Sequence, residues 1–134
     1  MKYLLDTNII IFWLKNRYNI ADKIAEVGAA NCFISEITVA ELRFGVECSE
    51  PALLDEKRRR LAEFLPFLQV IPINVAIEIY AKEKARLRFA GEIIPDFDLL
   101  IGATAVQQKM MMVTNNTKHI SRIQGIDIED WTVR

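Results

Sequence analysis

Short apolar runs alternate with longer stretches of helical periodicity along this chain, and this alternation restricts the fold most strongly. The runs are residues 3–5, 32–34, 70–73 and 110–113, with a weaker one within 126–131. The first run is apolar at every position, which is typical of a strand covered on both faces. Strands joined through helices form βαβ units with parallel strands and right-handed crossovers. The sequence therefore predicts an α/β domain with a central parallel sheet of four to five strands flanked by helices.

The predicted helices lie between these strands and end at helix-breaking residues. They are residues 9–16, 20–27, 37–48, 52–65, a long helix that follows Asn74 and closes at Gly91, and 99–107. Ser35 or Thr38 is expected to cap the third helix, and Asn74 to cap the long one.

The 134 residues fit one domain, residues 1–134, with enough apolar side chains (51%) to form a proper core. No apolar run approaches the length of a membrane span, and few apolar residues separate Lys2 from Asp6. Cys32 and Cys48 lack the spacing of metal ligands. We therefore expect a cytoplasmic protein with buried, reduced thiols.

The formal net charge of −1 excludes nucleic-acid binding by bulk positive charge. A protein of this charge that handles phosphodiesters needs local basic patches, a bound cation, or both. Residues 57–60 and the series Lys82, Lys84, Arg86 and Arg88 are the two basic concentrations. Each is either a solvated helix face or a surface for RNA backbone contacts. Phe12, Trp13, Phe44, Phe64 and Phe67 are expected mostly in the core, or in part along a groove for a partner helix.

Three acids from separated parts of the chain are predicted to meet at one edge of the sheet. Asp6 follows the first strand, Glu41 lies one turn into the helix after the second strand, and Asp98 opens an apolar helix. The carboxyl ends of parallel strands share one edge, which is where open α/β sheets bind their ligands. Taken singly, Asp6 and Asp98 also read as helix caps, and Glu41 as a solvated helix residue.

A cluster of bare carboxylates is unfavourable, because like charges repel and raise one another's pKa. A bound divalent cation makes such a cluster favourable, because it attracts the carboxylates. Oxygen ligands together with several retained waters are typical of a Mg²⁺ or Mn²⁺ site. Such an ion polarises a phosphoryl oxygen and activates water. The chain shows no nucleophilic Ser or Cys arrangement, and its one histidine, His119, has no evident triad partner.

Five motifs, in this order, resemble the PIN-domain family, and within it the VapC toxins of VapBC toxin–antitoxin pairs. They are the segments 6–8 (DTN), 35–42 (SEITVAEL), 98–103 (DLLIGA), 113–116 (VTNN) and 129–131 (EDW). The resemblance spans essentially the whole chain. It implies a Mg²⁺-dependent endoribonuclease, with Mn²⁺ as a substitute, that cleaves RNA such as tRNA or rRNA. It also implies a homodimer and a cognate VapB-like antitoxin.

The resemblance also implies roles for individual residues. Asp6, Glu41 and Asp98 match the metal-binding acids, and Thr7 matches the polar position beside the first acid. Asn116 stands where many members carry a fourth acid, and Lys118-His119 occupy the positions where other members with Asn have an acid. This departure favours a mechanism dominated by one ion. Asp96 competes with Asp98, but the Leu-Leu-Ile-Gly-Ala run after Asp98 favours Asp98 and leaves Asp96 as a cap or outer-shell group.

The leading hypothesis is a metal-dependent endoribonuclease whose catalytic residues are Asp6, Glu41, Asp98, Asn116 and Thr7. The alternative is a catalytically impaired PIN-like module that binds RNA or protein. A third hypothesis is a phosphoryl-transfer enzyme with Asp6 as nucleophile, against which stands Asn8 at the position where such enzymes commonly have a second Asp.

Overall fold

Five parallel strands form the centre of the protein, seen in a computed structural model that describes residues 1–133. The strands are β1 (Tyr3–Leu5), β2 (Cys32–Ser35), β3 (Gln69–Ile71), β4 (Met111–Val113) and β5 (Ile128–Glu129). Their order across the sheet is β3-β2-β1-β4-β5, so that β1 lies in the middle. Tyr3 pairs with Cys32 on one side and with Met111 on the other. The predicted α/β fold with a central parallel sheet is confirmed, at the upper end of the expected strand count.

Seven α-helices within the described residues surround this sheet. They are α1 (Thr7–Leu14), α2 (Ile20–Val27), α3 (Glu36–Glu47), α4 (Pro51–Phe64), α5 (Ile77–Ala90), α6 (Asp96–Gln108) and α7 (Thr117–Ile120). Short 3-10 turns occupy Ala29–Asn31, Leu65–Phe67 and Ile73–Ala76. The last of these contains Asn74, and α5 begins after it without a side-chain cap. The prediction that Asn74 caps the long helix is therefore wrong.

The two faces of the sheet pack into separate hydrophobic clusters. Leu4 belongs to the cluster under α5 and α6, whereas its neighbour Leu5 belongs to the cluster under α1 and α4. Successive side chains of a strand point to opposite faces, and both leucines are at most 1% exposed. The central strand is thus buried on both faces, as its unbroken apolar run predicts.

Some of the predicted core side chains are on the surface instead. Phe44 and Phe67 are 71% and 85% exposed, and Cys48 is exposed while Cys32 is half-buried. Phe44 follows Leu42, which is buried, by two residues, and two residues in a helix turn the side chain to the opposite side. Phe12, Trp13 and Phe64 are half-buried. No helix within residues 1–133 is long and apolar enough to cross a membrane.

Candidate active site

The carboxyl ends of the strands open into a cavity of about 730 Å³. Its lining consists of Asp6, Thr7, Asn8, Ile11, Ala40, Glu41, Phe44, Phe97, Asp98 and Asn116. All five residues predicted for catalysis therefore lie on one cavity. Asp6 arrives there directly from β1, Glu41 through α3 after β2, and Asp98 in the first turn of α6.

Asp6 is both a helix cap and a member of the cavity lining. It is 5% exposed, and its Oδ1 accepts a hydrogen bond of 2.8 Å from the backbone N–H of Thr7 at the start of α1. Its Oδ2 accepts a hydrogen bond of 2.7 Å from the hydroxyl of Thr114, which follows β4. The two interpretations of Asp6 are thus compatible, because one carboxylate satisfies the helix terminus and still lies at the cavity.

The negative charges at this edge of the sheet are energetically unfavourable. Burial raises the pKa of Asp6 above its usual value, and the nearby carboxylates of Asp98 and Glu41 add to that rise. The hydrogen bonds from Thr114 and Thr7 partly oppose it. Burial also raises the pKa of Asp98, against a smaller opposing effect of His119. Bound positive charge would relieve this repulsion.

Glu41 is oriented by two threonines. The hydroxyl of Thr7 donates a hydrogen bond of 2.6 Å to Glu41 Oε1 and lies 2.9 Å from the hydroxyl of Thr38, which is fully buried. Because Thr7 gives its only hydroxyl proton to the carboxylate, Thr38 must be the donor to Thr7. The chain Thr38–Thr7–Glu41 thereby joins α1 to α3.

Asn116 is held by the loop that leads from β4 to α7. Its backbone N–H donates a hydrogen bond of 3.0 Å to the hydroxyl of Thr114, and its side-chain Nδ2 lies 3.5 Å from His119 Nδ1. Sequence reasoning missed Thr114 and the supporting role of Thr38. Thr114 had a usable signal, since it follows a predicted strand at the same edge as Asp6.

Asp96 does not line the cavity. It is the first residue of α6, after the cap position at Pro95, and no side chain caps this helix. Its carboxylate accepts a hydrogen bond of 2.9 Å from the hydroxyl of Tyr80 and forms an ion pair of 2.8 Å with Lys84. These partners, Lys84 foremost, hold its pKa below the usual range. The interpretation of Asp96 as a cap is therefore wrong, and Asp98 is the acid of this helix that reaches the cavity.

The donor set of the cavity has the chemistry that a hard cation prefers. Of the ten described residues that line it, none carries a positive charge, and three are carboxylates. Within residues 1–133, however, no three His, Cys, Asp or Glu side chains lie close enough together to hold a metal ion directly. The carboxylates therefore surround a space that is wider than a closed all-protein ligand cage.

Known proteins resemble this chain over nearly its whole length. The PIN domain matches residues 3–126. The tRNA(fMet)-specific endonuclease VapC of Salmonella typhimurium is 32% identical, with 98% of each chain covered. The crystal structure of DNA-bound VapBC from Salmonella typhimurium superposes with a TM-score of 0.88 at 31% identity, again over 98% of each chain. That of VapBC2 from Rickettsia felis, bound to a promoter DNA fragment, gives 0.86 at 32% identity, over 98% of this chain and 99% of the other.

The fold and the extent of the sequence matches agree. The chain belongs to the PIN-domain family, and within it to the VapC ribonucleases of toxin–antitoxin systems.

Proposed function

We propose that this protein is the toxin of a toxin–antitoxin pair and cleaves RNA with a divalent cation, Mg²⁺ or Mn²⁺ in its place, held by Asp6, Glu41 and Asp98. The observation that carries the proposal is the gathering of these carboxylates on one cavity without a neutralising basic side chain in its described lining. The raised pKa of Asp6 supports it, because a cation would remove the repulsion that contributes to the rise.

The width of the carboxylate cluster fits Mg²⁺ bound partly through water. Mg²⁺ retains several waters and takes one or two carboxylates directly, so a tight cage of three side chains is unnecessary. The cavity of about 730 Å³ has room for an ion, its waters and a phosphate. When bound, the cation polarises the scissile phosphate and lowers the pKa of a water molecule.

The protein's own side chains position these groups. The hydroxyl of Thr7 fixes one oxygen of Glu41 and leaves the other free to face the cavity. Asp6 is fixed at both oxygens, Oδ1 by the backbone N–H of Thr7 and Oδ2 by the hydroxyl of Thr114. Asn116 has an amide where the family resemblance implies an acid in many members, so it orients water or phosphate by hydrogen bonding without adding negative charge. This difference favours one ion over two.

The names of the relatives support an RNA substrate and an antitoxin partner, and the homodimer is proposed from the family resemblance. The Salmonella relative is named for its action on tRNA(fMet), and solved relatives are VapBC complexes. We propose tRNA or rRNA as the substrate, a VapB-like antitoxin as the inhibitor, and a homodimer as the assembly.

Two measurements test this proposal. The variants Asp6→Asn, Glu41→Gln and Asp98→Asn should each lower RNA cleavage by at least 100-fold while retaining the fold, and EDTA should abolish it. The matched control is Glu78→Gln, since Glu78 is an exposed acid on α5 outside the cavity. Mg²⁺ should also raise the melting temperature of the wild type by mass action, and less so in these three variants. A flat response to Mg²⁺ together with no cleavage by the wild type would favour the non-catalytic binding module, whereas full activity in EDTA would remove the metal from the mechanism.

A further inference from the structure

Asn116 is anchored beside the carboxylates through its backbone. Its N–H donates a hydrogen bond of 3.0 Å to the hydroxyl of Thr114, and that hydroxyl donates one of 2.7 Å to Asp6 Oδ2. The loop between β4 and α7 is thereby tied to the acid that follows β1. Asn116 is half-buried and lines the cavity, so the direction of its side-chain amide decides which polar group it presents there.

The side chain of Asn116 does not do what its position in the chain predicts. The residue occupies the cap position of α7, and asparagine is among the most favourable caps because its Oδ1 can accept a backbone N–H of the first turn. Within the part of the chain that the structure describes, the Asn116 side chain makes no such hydrogen bond. Its carbonyl oxygen is therefore left for a partner other than the helix.

The nitrogen of the same amide faces His119, the one histidine of the chain. Asn116 Nδ2 lies 3.5 Å from His119 Nδ1. An amide nitrogen can only donate, so the ring nitrogen that faces it has to be the unprotonated acceptor, and the proton of the neutral ring is on Nε2. With Nδ2 directed at the ring, Oδ1 is turned the other way.

His119 can affect the site only through another residue. It is not among the residues that line the cavity. It lies on α7, which packs against α6, the helix that bears Asp98. The ring therefore supports the wall of the cavity from behind, and Asn116 is the cavity residue that it contacts.

We propose that His119 is a positioning residue whose Nδ1 holds the Asn116 amide so that its carbonyl oxygen faces the cavity and accepts a hydrogen bond from water. This inference rests on the proposed nuclease function. A carbonyl oxygen cannot bind the oxygens of a phosphodiester, since neither group has a proton to donate, whereas water does. The carbonyl also adds an oxygen to the three carboxylates without adding a fourth negative charge. Asn116 thus orients water and not phosphate.

The single histidine makes the state of the ring directly measurable. In ¹⁵N-labelled protein without an affinity tag, a long-range ¹H–¹⁵N correlation spectrum contains one imidazole. At pH 8, in Mg²⁺, where an ordinary histidine is neutral, we expect the Nε2–H tautomer. Asn116→Asp replaces the amide with a carboxylate, which only accepts, so Nδ1 should become protonated. Asn115→Asp is the matched control and should leave the tautomer unchanged, because Asn115 is exposed and its side chain contacts Asn8 instead.

Two substitutions of His119 separate the acceptor from the ring. His119→Phe keeps the shape of the ring but has no acceptor, whereas His119→Asn is smaller but carries an acceptor on Cγ, as Nδ1 does. A packing role would make Phe the milder change. We expect the reverse: Phe should lower kcat for RNA cleavage about three- to tenfold, the value of one hydrogen bond, and Asn should retain most of it. KM for RNA should not change, because Asn116 contacts water and not RNA. Melting temperatures show whether both variants are folded.

Four results would overturn the inference. They are a wild-type ring protonated on Nδ1, a tautomer that is unchanged in Asn116→Asp, a Phe variant as active as wild type, and a rise in KM without a loss of kcat, which would direct the amide at the phosphate. The tautomer measurement does not depend on cleavage. A wild type with the expected tautomers that cuts no RNA would contradict the proposed nuclease and leave the orientation of Asn116 in place.

Discussion

Thr7 Oγ1 and Glu41 Oε1 are joined by a hydrogen bond of 2.6 Å that connects the first turn of α1 with the middle of α3. The two helices start at the ends of adjacent strands, β1 and β2, so this bond spans the edge of the sheet where the carboxylates gather. It fixes one Glu41 oxygen and thereby the direction of the other. Glu41 is half-buried on a helix surface, and without this bond its side chain would be free to turn towards solvent.

Replacing Thr7 with valine should separate positioning from folding. The variant keeps the shape of the side chain but removes the donor to Glu41 and the acceptor for Thr38, so it should destabilise the fold by about 1–2 kcal/mol. We expect cleavage to fall more than tenfold, with the loss in kcat, because a mobile carboxylate is in place less often. Denaturation and steady-state kinetics check this. Thr7→Ser retains the hydroxyl and should recover most of the activity; a valine variant as active as wild type would contradict the role.

Thr114 should matter most when Asp6 is ionised. Thr114→Val removes the donor to Asp6 Oδ2 and leaves a buried carboxylate with one hydrogen bond fewer, at a cost of about 1–3 kcal/mol near neutral pH. Protonated Asp6 needs this donor less, so the difference from wild type should shrink as the pH falls. Urea unfolding at pH 7 and at pH 4 measures both values. A pH-independent penalty would mean that the loss comes from packing and from the bond that the hydroxyl accepts from the Asn116 N–H, and not from the bond to Asp6. Thr114→Ser serves as the control with a hydroxyl.

Without metal, the ionisation of Asp6 should weaken the fold. The folded pKa of Asp6 is raised by burial above the unfolded value, so the native state holds the proton more tightly. Stability from this group is complete below the unfolded pKa of about 4 and falls as the pH rises through the folded pKa. At neutral pH in EDTA, Asp6→Asn should therefore be more stable than wild type.

Measuring both proteins across pH checks that ionised Asp6 destabilises the fold. The stability of wild type minus that of Asp6→Asn, measured by thermal unfolding in EDTA, should decrease as the pH is raised from 4 to 7. Taking the difference cancels the contributions of groups that both proteins share, such as Asp96 and Glu83, whose lowered pKa values change stability with pH in the opposite direction. Saturating Mg²⁺ should reverse the order of the two proteins, since the ion stabilises the form that binds it. An asparagine variant that is less stable than wild type in EDTA would contradict the electrostatic argument.

The strands and the meeting of the acids were predictable because they depend on local patterns and on one topological rule. The run at residues 3–5 is apolar at each position, and parallel strands end at a common edge, which brings Asp6 near the helices that bear Glu41 and Asp98. Helix boundaries were less predictable where a side chain has two uses. Asp6 caps α1, so that helix begins at Thr7, two residues before its apolar pattern does.

The hydroxyl contacts and the exposed rings were beyond reach for a different reason. Thr38 and Thr114 act through partners 31 and 108 residues away. The strand before Thr114 places that residue at the edge of the sheet where Asp6 lies, but no pattern in one sequence specifies the hydrogen-bonded pairs. Phenylalanine is usually a core residue, and the exposure of Phe44 depends on which face of α3 the other helices cover. Spacing along the chain indicates that a helix has an apolar side; the tertiary packing decides which residues are left on the other.

Glu83 should prove to be the most important charged residue for stability outside the cavity. It is 7% exposed, accepts hydrogen bonds of 2.6 Å from the backbone N–H of Gln124 and 2.7 Å from Arg86, and so ties α5 to the segment that follows α7. Arg86 also donates to the carbonyl of Arg122.

Glu83→Gln weakens both charge-assisted bonds and should reduce the free energy of unfolding by about 2–3 kcal/mol. Because the Arg86 bond lowers the pKa of Glu83, this contribution is present near neutral pH and is lost as acid protonates the carboxylate, so the gap between variant and wild type should narrow in acid. Urea unfolding of variant and wild type, at neutral pH and in acid, measures this difference in stability. The control is Glu78→Gln, which breaks an exposed ion pair with Lys82 and should change stability by less than about 0.5 kcal/mol. Equal effects of the two substitutions would show that burial of Glu83 adds nothing to its ion pair.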